Sequence, residues 1–260
     1  MLPKTAFSSS LLFYTLSLAS SLYDEKLVKS LTSNNFASLV ESSLKPALVE
    51  FYSPGCPHCV NLVPIWRNVA SNLAGHIQTF GVNCQQDTLC NKYSIRGVPA
   101  IKIFLKDEKG KTYWLDYEGD RKADAIIKWA RGYATSFVVK VSESKSGGNI
   151  INLQKFLKQD SELPHIVFFK RESMVPSLGL NTLSVDYKGK YVFGIVNRKI
   201  DGARIANLLG VKLPDGSDAL VVIGPNEEKG ELYSGPLLFT PMKAHLDKIH
   251  AEFKQHKSEL

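Results

Sequence analysis

Ala47-Leu48-Val49-Glu50-Phe51-Tyr52 runs directly into Ser53-Pro54-Gly55-Cys56-Pro57-His58-Cys59. The first stretch is apolar and rich in β-formers, and it reads as a strand buried on both faces. The second reads as a turn that opens a helix, with its two cysteines separated by two residues. A cysteine at a helix N-terminus meets unpaired backbone N–H groups and the positive end of the helix dipole, and both favour thiolate over thiol. Pro57 suits the first helical turn, where no N–H is needed. His58, if protonated or donating, adds positive potential beside Cys56, and Cys59 is placed to attack a mixed disulfide formed at Cys56. A Cys-x-x-Cys pair taken alone is equally half of a zinc site.

Outward from this stretch, strands and helices alternate. Residues 44–52 and 76–83 read as strands around a helix over 57–73, which Pro64 should kink. A short helix over 87–93 follows, with Asp87 as N-cap. Strands over 100–105 and 112–116 flank a hairpin turn at 106–110, and an amphipathic helix over 121–133 closes the unit. A strand over 28–31 and a helix over 35–41 precede it. This order matches a thioredoxin-like fold. The second half repeats it: strands over 137–141 and 165–170 around a helix over 150–159, then a strand 191–196, a helix 203–209, a strand 219–223 and a helix 241–253. The linker falls near 132–136, and 142–148 is a loop inside the second unit. Where the first unit has 53–59, the second has Arg171-Glu172-Ser173-Met174 and no cysteine.

Together with Arg96-Gly97-Val98-Pro99-Ala100-Ile101-Lys102-Ile103-Phe104, the opening stretch resembles a catalytic domain of the protein disulfide isomerase family, strongly over residues 22–135. The resemblance implies an α/β chain of two thioredoxin-like domains in tandem, catalytic over 22–135 and redox-inactive over 136–255. The family usually has Trp before the first cysteine and Gly-His between the two; here Gly55 and Pro57-His58 stand there. The Pro-His pair resembles that of a strongly oxidising bacterial periplasmic dithiol oxidase.

The resemblance also implies roles. Pro99 matches a cis-proline that faces the two cysteines and lets Val98 offer its backbone to a bound peptide. Taken alone, Pro99 is an ordinary proline opening a strand. Glu50 matches a carboxylate beneath the second cysteine that helps move its proton; the other reading is a solvated edge position. The lysine that usually pairs with it is replaced by Gly81. Arg121 matches an arginine that swings toward the second cysteine and lowers its pKa, and is otherwise an ordinary residue of a helix's first turn. Cys84 and Cys90 match an extra structural disulfide of some members, set against a four-cysteine zinc site with Cys56 and Cys59 that an oxidising compartment disfavours. The five other histidines show no ligand spacing, and His245 and His250 are expected at the surface of the last helix.

The chain has 260 residues, 44% hydrophobic and 22% charged, an ordinary globular composition with room for about two domains. The formal net charge of +7 comes from scattered Lys and Arg with no basic block among stacking aromatics, which argues against nucleic-acid binding. Residues 1–21 read as a secretory signal peptide, too short in its apolar part to span a bilayer, and no later segment is apolar enough for insertion. Residues 256–260 form a tail whose Lys257-Ser258-Glu259-Leu260 is a one-residue variant of the Lys-Asp-Glu-Leu retrieval signal. The expectation is a thiol–disulfide oxidoreductase and isomerase of the endoplasmic reticulum lumen, free of metal and organic cofactor. Its partners are unfolded or partly oxidised secretory proteins and an upstream thiol oxidase or glutathione. The alternative is a non-catalytic binding module or chaperone for unfolded clients.

Overall fold

β2 (Ala47–Tyr52) lies at the centre of an N-terminal sheet, and all of its side chains are buried. A computed structural model describes residues 21–23, 26–144 and 150–258, with side chains in the last helix as far as Phe253. β2 pairs parallel with β3 (Gln78–Asn83) and antiparallel with β4 (Ala100–Lys106). β1 (Lys29–Ser30) and β5 (Thr112–Asp116) complete the order β1-β3-β2-β4-β5. Side chains alternate across a strand, so Leu48, Glu50 and Tyr52 point one way and Ala47, Val49 and Phe51 the other. Leu48 and Tyr52 share a core with Cys59, Leu62 and Trp66 of α1 (Pro57–Leu73) and Ile126 of α3 (Ala123–Arg131). Ala47, Val49 and Phe51 share the opposite core with Phe36, Tyr93 and Leu89 of α2 (Leu89–Lys92). Both faces of the sheet are thus covered by helices and loops. That is why β2 is apolar almost throughout.

Two expectations in this half are corrected. Thr88, not Asp87, is the N-cap of α2; Asp87 instead accepts from Leu89 N–H at 2.8 Å and Ser33 N–H at 3.0 Å, tying two loops together. α3 starts at Ala123 because Lys122 is extended (φ −110°, ψ 143°), so Arg121 precedes the helix. α1 spans the expected residues 57–73 with Pro64 inside it.

The second half forms a six-stranded sheet from β6 (Val138–Val141), β7 (Ile150–Ile151), β8 (His165–Lys170), β9 (Val192–Asn197), β10 (Ala219–Ile223) and β11 (Gly230–Leu232). Its order is β11-β10-β8-β9-β6-β7. From β6 to β11 this order, with every parallel or antiparallel pairing in it, matches β1-β3-β2-β4-β5, and β7 is additional. The helix expected over 150–159 is split. Ile150 and Ile151 pair with Lys140 and Val141, and Asn152 then caps α4 (Leu153–Leu157), accepting from Lys155 N–H at 2.9 Å. α5 (Leu178–Asp186) and β11 were not anticipated. α6 (Ala203–Leu208) and α7 (Phe239–Ser258) complete the chain. His245 and His250 on α7 are half-buried, not surface residues, with their rings 4.6 Å from Tyr233 and 6.3 Å from Tyr191.

α5 meets the first unit beyond the C-terminal end of α1, where His76 Nδ1 lies 2.6 Å from Thr182 Oγ1 and Lys45 pairs with Asp186 at 2.7 Å. Among the described residues no helix is long and apolar enough to cross a membrane. The expected signal segment before Ser21, most of the loop at 142–148 and the last two residues of the retrieval-like ending lie outside the described residues.

Candidate active site

The chain leaves β2 at Tyr52 and turns at Ser53, whose carbonyl accepts from Cys56 N–H at 3.1 Å. Cys56 stays extended (φ −89°, ψ 116°) while its carbonyl accepts from Cys59 N–H at 3.0 Å and Val60 N–H at 3.1 Å. It is therefore the N-cap of α1, with Pro57 in the first helical turn. An N-cap side chain faces the free N–H groups of the first turn. The Cys56 thiol is accordingly held below the ordinary range, first by the Cys59 N–H and then by the Cys59 thiol, with the His58 N–H and the Arg121 guanidinium adding to it against burial. His58 contributes its backbone N–H to this, and its side chain is exposed. Cys56 is half-buried, and its thiol donates to the Val98 carbonyl at 3.6 Å.

Cys59, one turn deeper, is fully buried. Burial pushes its thiol up to about 12, with Cys56 and Glu50 adding and a backbone hydrogen bond from Ser53 opposing. Glu50 lies between Gly81 of β3 and Ile101 of β4 at 0% exposure, which excludes the solvated-edge reading. Burial raises its carboxyl from 4.5 to about 7, against the Tyr23 hydroxyl, which donates to Oε2, and the charge of Arg121. Its Oε1 has no hydrogen-bond partner among the described residues.

The Val98–Pro99 peptide is cis and opens β4. Arg121 donates to the Pro99 carbonyl at 3.0 Å, and its charge lowers both the Cys56 thiol and the Glu50 carboxyl. Cys84 and Cys90 are bonded to each other, with Cα atoms 5.5 Å apart, in the core on the far side of the sheet from Cys59. That bond takes both sulfurs out of any four-cysteine metal site. Among the described residues no cluster of His, Cys, Asp and Glu could hold a metal ion. The structure thus gathers Cys56, Cys59, Glu50, Val98, Pro99 and Arg121 at one end of β2 and sets Cys84 and Cys90 apart. The residue that sequence reasoning missed is Tyr23; the sequence signal for it is the side-chain space that Gly81 leaves open.

Residues 27–132 match the Thioredoxin family. The chain is 33% identical over 168 residues to a putative protein disulfide-isomerase of Dictyostelium discoideum, covering 63% of this chain and 39% of that protein. The chain carries a thioredoxin domain over residues 27–132 and is similar to proteins of the protein disulfide isomerase family. It is also 25% identical over 231 residues to the protein disulfide-isomerase MPD1 of Saccharomyces cerevisiae, covering 82% of this chain and 70% of that one. A protein disulfide-isomerase A6 homolog of Drosophila melanogaster is 37% identical over 101 residues, 38% of this chain and 23% of its own length. The chain therefore spans about two fifths of the Dictyostelium relative and less of the Drosophila one. The crystal structure of ERdj5 form II superposes with a TM-score of 0.51 at 20% identity, over 88% of this chain and 30% of that one, a likeness of fold. The chain departs from the pattern it resembles at Gly55. A Cβ built there meets nothing within 4 Å, so the rim above Cys56 is open.

Proposed function

We propose that the chain is a thiol–disulfide oxidoreductase and isomerase that forms and rearranges disulfides in folding secretory proteins. The observation that carries this reading is the split between two thiols one helical turn apart. Cys56 is half-exposed and acidified; Cys59 is buried and pushed up to about 12. Cys56 therefore ionises first and is the nucleophile. Its thiolate attacks a substrate disulfide, a Cys56–substrate disulfide forms, and the displaced substrate thiolate leaves and takes up a proton. Cys59 gives its proton to Glu50 and attacks the Cys56 sulfur. The Cys56–Cys59 bond forms, the second substrate thiolate leaves, and two electrons have passed from the dithiol to the substrate. The reverse sequence oxidises a substrate dithiol, after which a thiol oxidase or glutathione disulfide recharges the pair. No metal or organic cofactor takes part. The cis Val98–Pro99 edge beside Cys56 offers backbone to an extended peptide, the mode in which main-chain contacts supply affinity without demanding one sequence.

The matching strand order of the second sheet supports a tandem of thioredoxin-like domains, catalytic over 22–135 and without redox cysteines over 136–255. The signal-like composition of 1–21 and the Lys257-Ser258-Glu259-Leu260 motif support residence in the endoplasmic reticulum lumen. The test is oxidative refolding of a reduced, denatured disulfide protein in a glutathione buffer. Cys56→Ser should abolish the acceleration. If the variant supports refolding in full, the chain is a binding module or chaperone for unfolded clients instead.

A further inference from the structure

We infer that Tyr23 is the positioning residue that keeps Glu50 able to exchange a proton with Cys59, through the hydroxyl it donates to Glu50 in the buried layer between β2 and α1. The inference rests on the dithiol reading above and deepens it.

Glu50 needs a partner. It sits at 0% exposure in the middle of the sheet, where an unpaired carboxylate is costly. The strand neighbours that face it, Gly81 and Ile101, carry no polar side chain. The titratable and charged groups acting on it are Tyr23 from the N-terminal segment, Cys59 from α1 and Arg121 from the segment before α3. Of these, Tyr23 makes the direct hydrogen bond, to Oε2.

Gly81 explains how a residue from outside the sheet reaches that place. A Cβ on Gly81 would stand 3.1 Å from Tyr23 Cδ2 and 3.1 Å from Tyr52 Cε1, closer than these rings tolerate without shifting. The Tyr23 ring therefore fills the space that a side chain on β3 would take, and glycine is the residue that admits it. The ring is itself fixed. It is 6% exposed and packs edge-on to Tyr52 at 5.5 Å. Cys59 belongs to the same core cluster.

The direction of the effect follows from hydrogen-bond chemistry. A phenol donating to a carboxylate favours the charged acceptor, so Tyr23 holds the Glu50 carboxyl lower than burial alone would place it. Burial, foremost, and then Glu50 push the Tyr23 phenol well above its ordinary range, so it stays protonated and remains a donor at any working pH. A neutral donor lowers the carboxyl only part of the way, which leaves it titrating near neutrality. There it can accept a proton from Cys59 in one step of the cycle and return it in the other.

Ellman's reagent separates the two thiols in the full chain by stopped flow. Attack by Cys56 releases one thionitrobenzoate, and attack by Cys59 on the resulting mixed disulfide releases a second. The second phase should rise with pH with a midpoint near 7, the value of Glu50. Tyr23→Phe keeps the ring and removes the hydroxyl. It should move that midpoint up by about one pH unit and slow the second phase about fivefold at pH 7, with the first phase unchanged. Glu50→Gln should remove the midpoint, and Tyr23→Phe added to Glu50→Gln should change nothing more. An unmoved midpoint in Tyr23→Phe overturns the inference, as does a slowing that persists in the Glu50→Gln background. Loss of the first phase in Cys56→Ala is a separate check of the dithiol reading itself, so the two failures are told apart.

Discussion

Replacing Glu50 by Gln should stabilise the N-terminal unit at neutral pH, although the side chain is central to the proposed chemistry. The folded chain holds the Glu50 carboxyl at about 7 against 4.5 for an ordinary glutamate, chiefly because the charge is desolvated. Its folded value is raised, so the contribution it makes is fully present below about pH 4.5 and is lost as pH climbs through about 7. In that window the folded state still binds a proton that the unfolded state has released, and stability falls with pH. The difference of roughly 2.5 pKa units corresponds to about 3 kcal/mol. Gln does not titrate. The stability difference, Glu50→Gln minus wild type, should therefore rise by about 3 kcal/mol between pH 4.5 and pH 8. At the acid end the variant should be equal or slightly less stable, because its amide places N–H donors where Oε1 now has no partner. Guanidinium unfolding followed by tryptophan fluorescence is the assay, with the Cys84–Cys90 bridge kept intact. All three tryptophans, Trp66, Trp114 and Trp129, lie in the first half of the chain, so the signal reports that unit. A difference that stays flat across the window, or that falls with pH, refutes the argument that burial governs this carboxyl.

Cys59→Ala should accumulate mixed disulfides with client proteins, while Cys56→Ala should not, as read by non-reducing electrophoresis; equal trapping would reverse the order of attack. In the reduced wild type, iodoacetamide at mildly acidic pH should label Cys56 before Cys59. Pro57→Gly should lower the reduction potential of the pair, by up to about 60 mV, because a looser first turn aims the Cys59 and His58 N–H groups less well at Cys56 and so stabilises the reduced form less. A glutathione titration of both proteins measures it, and an unchanged or higher potential counts against the turn. Removing the bridge with Cys84→Ala and Cys90→Ala should cost about 2 kcal/mol of stability, since it closes only a short loop. Cys56 reactivity should survive, because the bridge lies across the sheet.

What the sequence revealed follows from the range of the interactions concerned. α1 over 57–73 was legible to the residue, because a buried strand, a turn and a proline at the first helical position are consecutive signals. β8 and β5 were legible for a similar reason, as β-rich runs bounded by charge or glycine. α5 was not. Its Leu180, Thr182, Leu183, Ser184 and Val185 are all buried, so the helix has no polar face to set a period, and Ser177 at its N-cap is one serine among many. The strand pair Ile150–Ile151 was hidden inside an apparent helix because two residues carry no periodicity; only pairing with Lys140 and Val141 defines it. Tyr23 was invisible for a different reason. It meets Glu50 from 27 positions away, across a strand, and no local pattern encodes that contact. The missing side chain at Gly81 could be read directly, but not the ring that fills its place.

In the proposed mechanism, the split between the two thiols creates the need that Glu50 meets. Burial, the foremost cause of the raised Cys59 thiol, persists when Cys56 is tied up in a mixed disulfide, so Cys59 ionises too little at neutral pH to resolve it rapidly without a base. Exposing Cys59 would ease its ionisation, but it would also give the site a second nucleophile open to solvent and blur the order of attack. Keeping Cys59 buried and supplying a base preserves that order. The base must itself titrate near the working pH, since a carboxylate of ordinary acidity would accept the proton too weakly. Burial in β2 raises Glu50 to that range, and the same burial accounts for the stability it costs at neutral pH. The variant that gains stability should therefore be the one that resolves mixed disulfides slowly, and its stability gain should level off near pH 7, where the resolution rate of the wild type has its midpoint. If the gain levels off well away from that midpoint, Glu50 is not the group that links them.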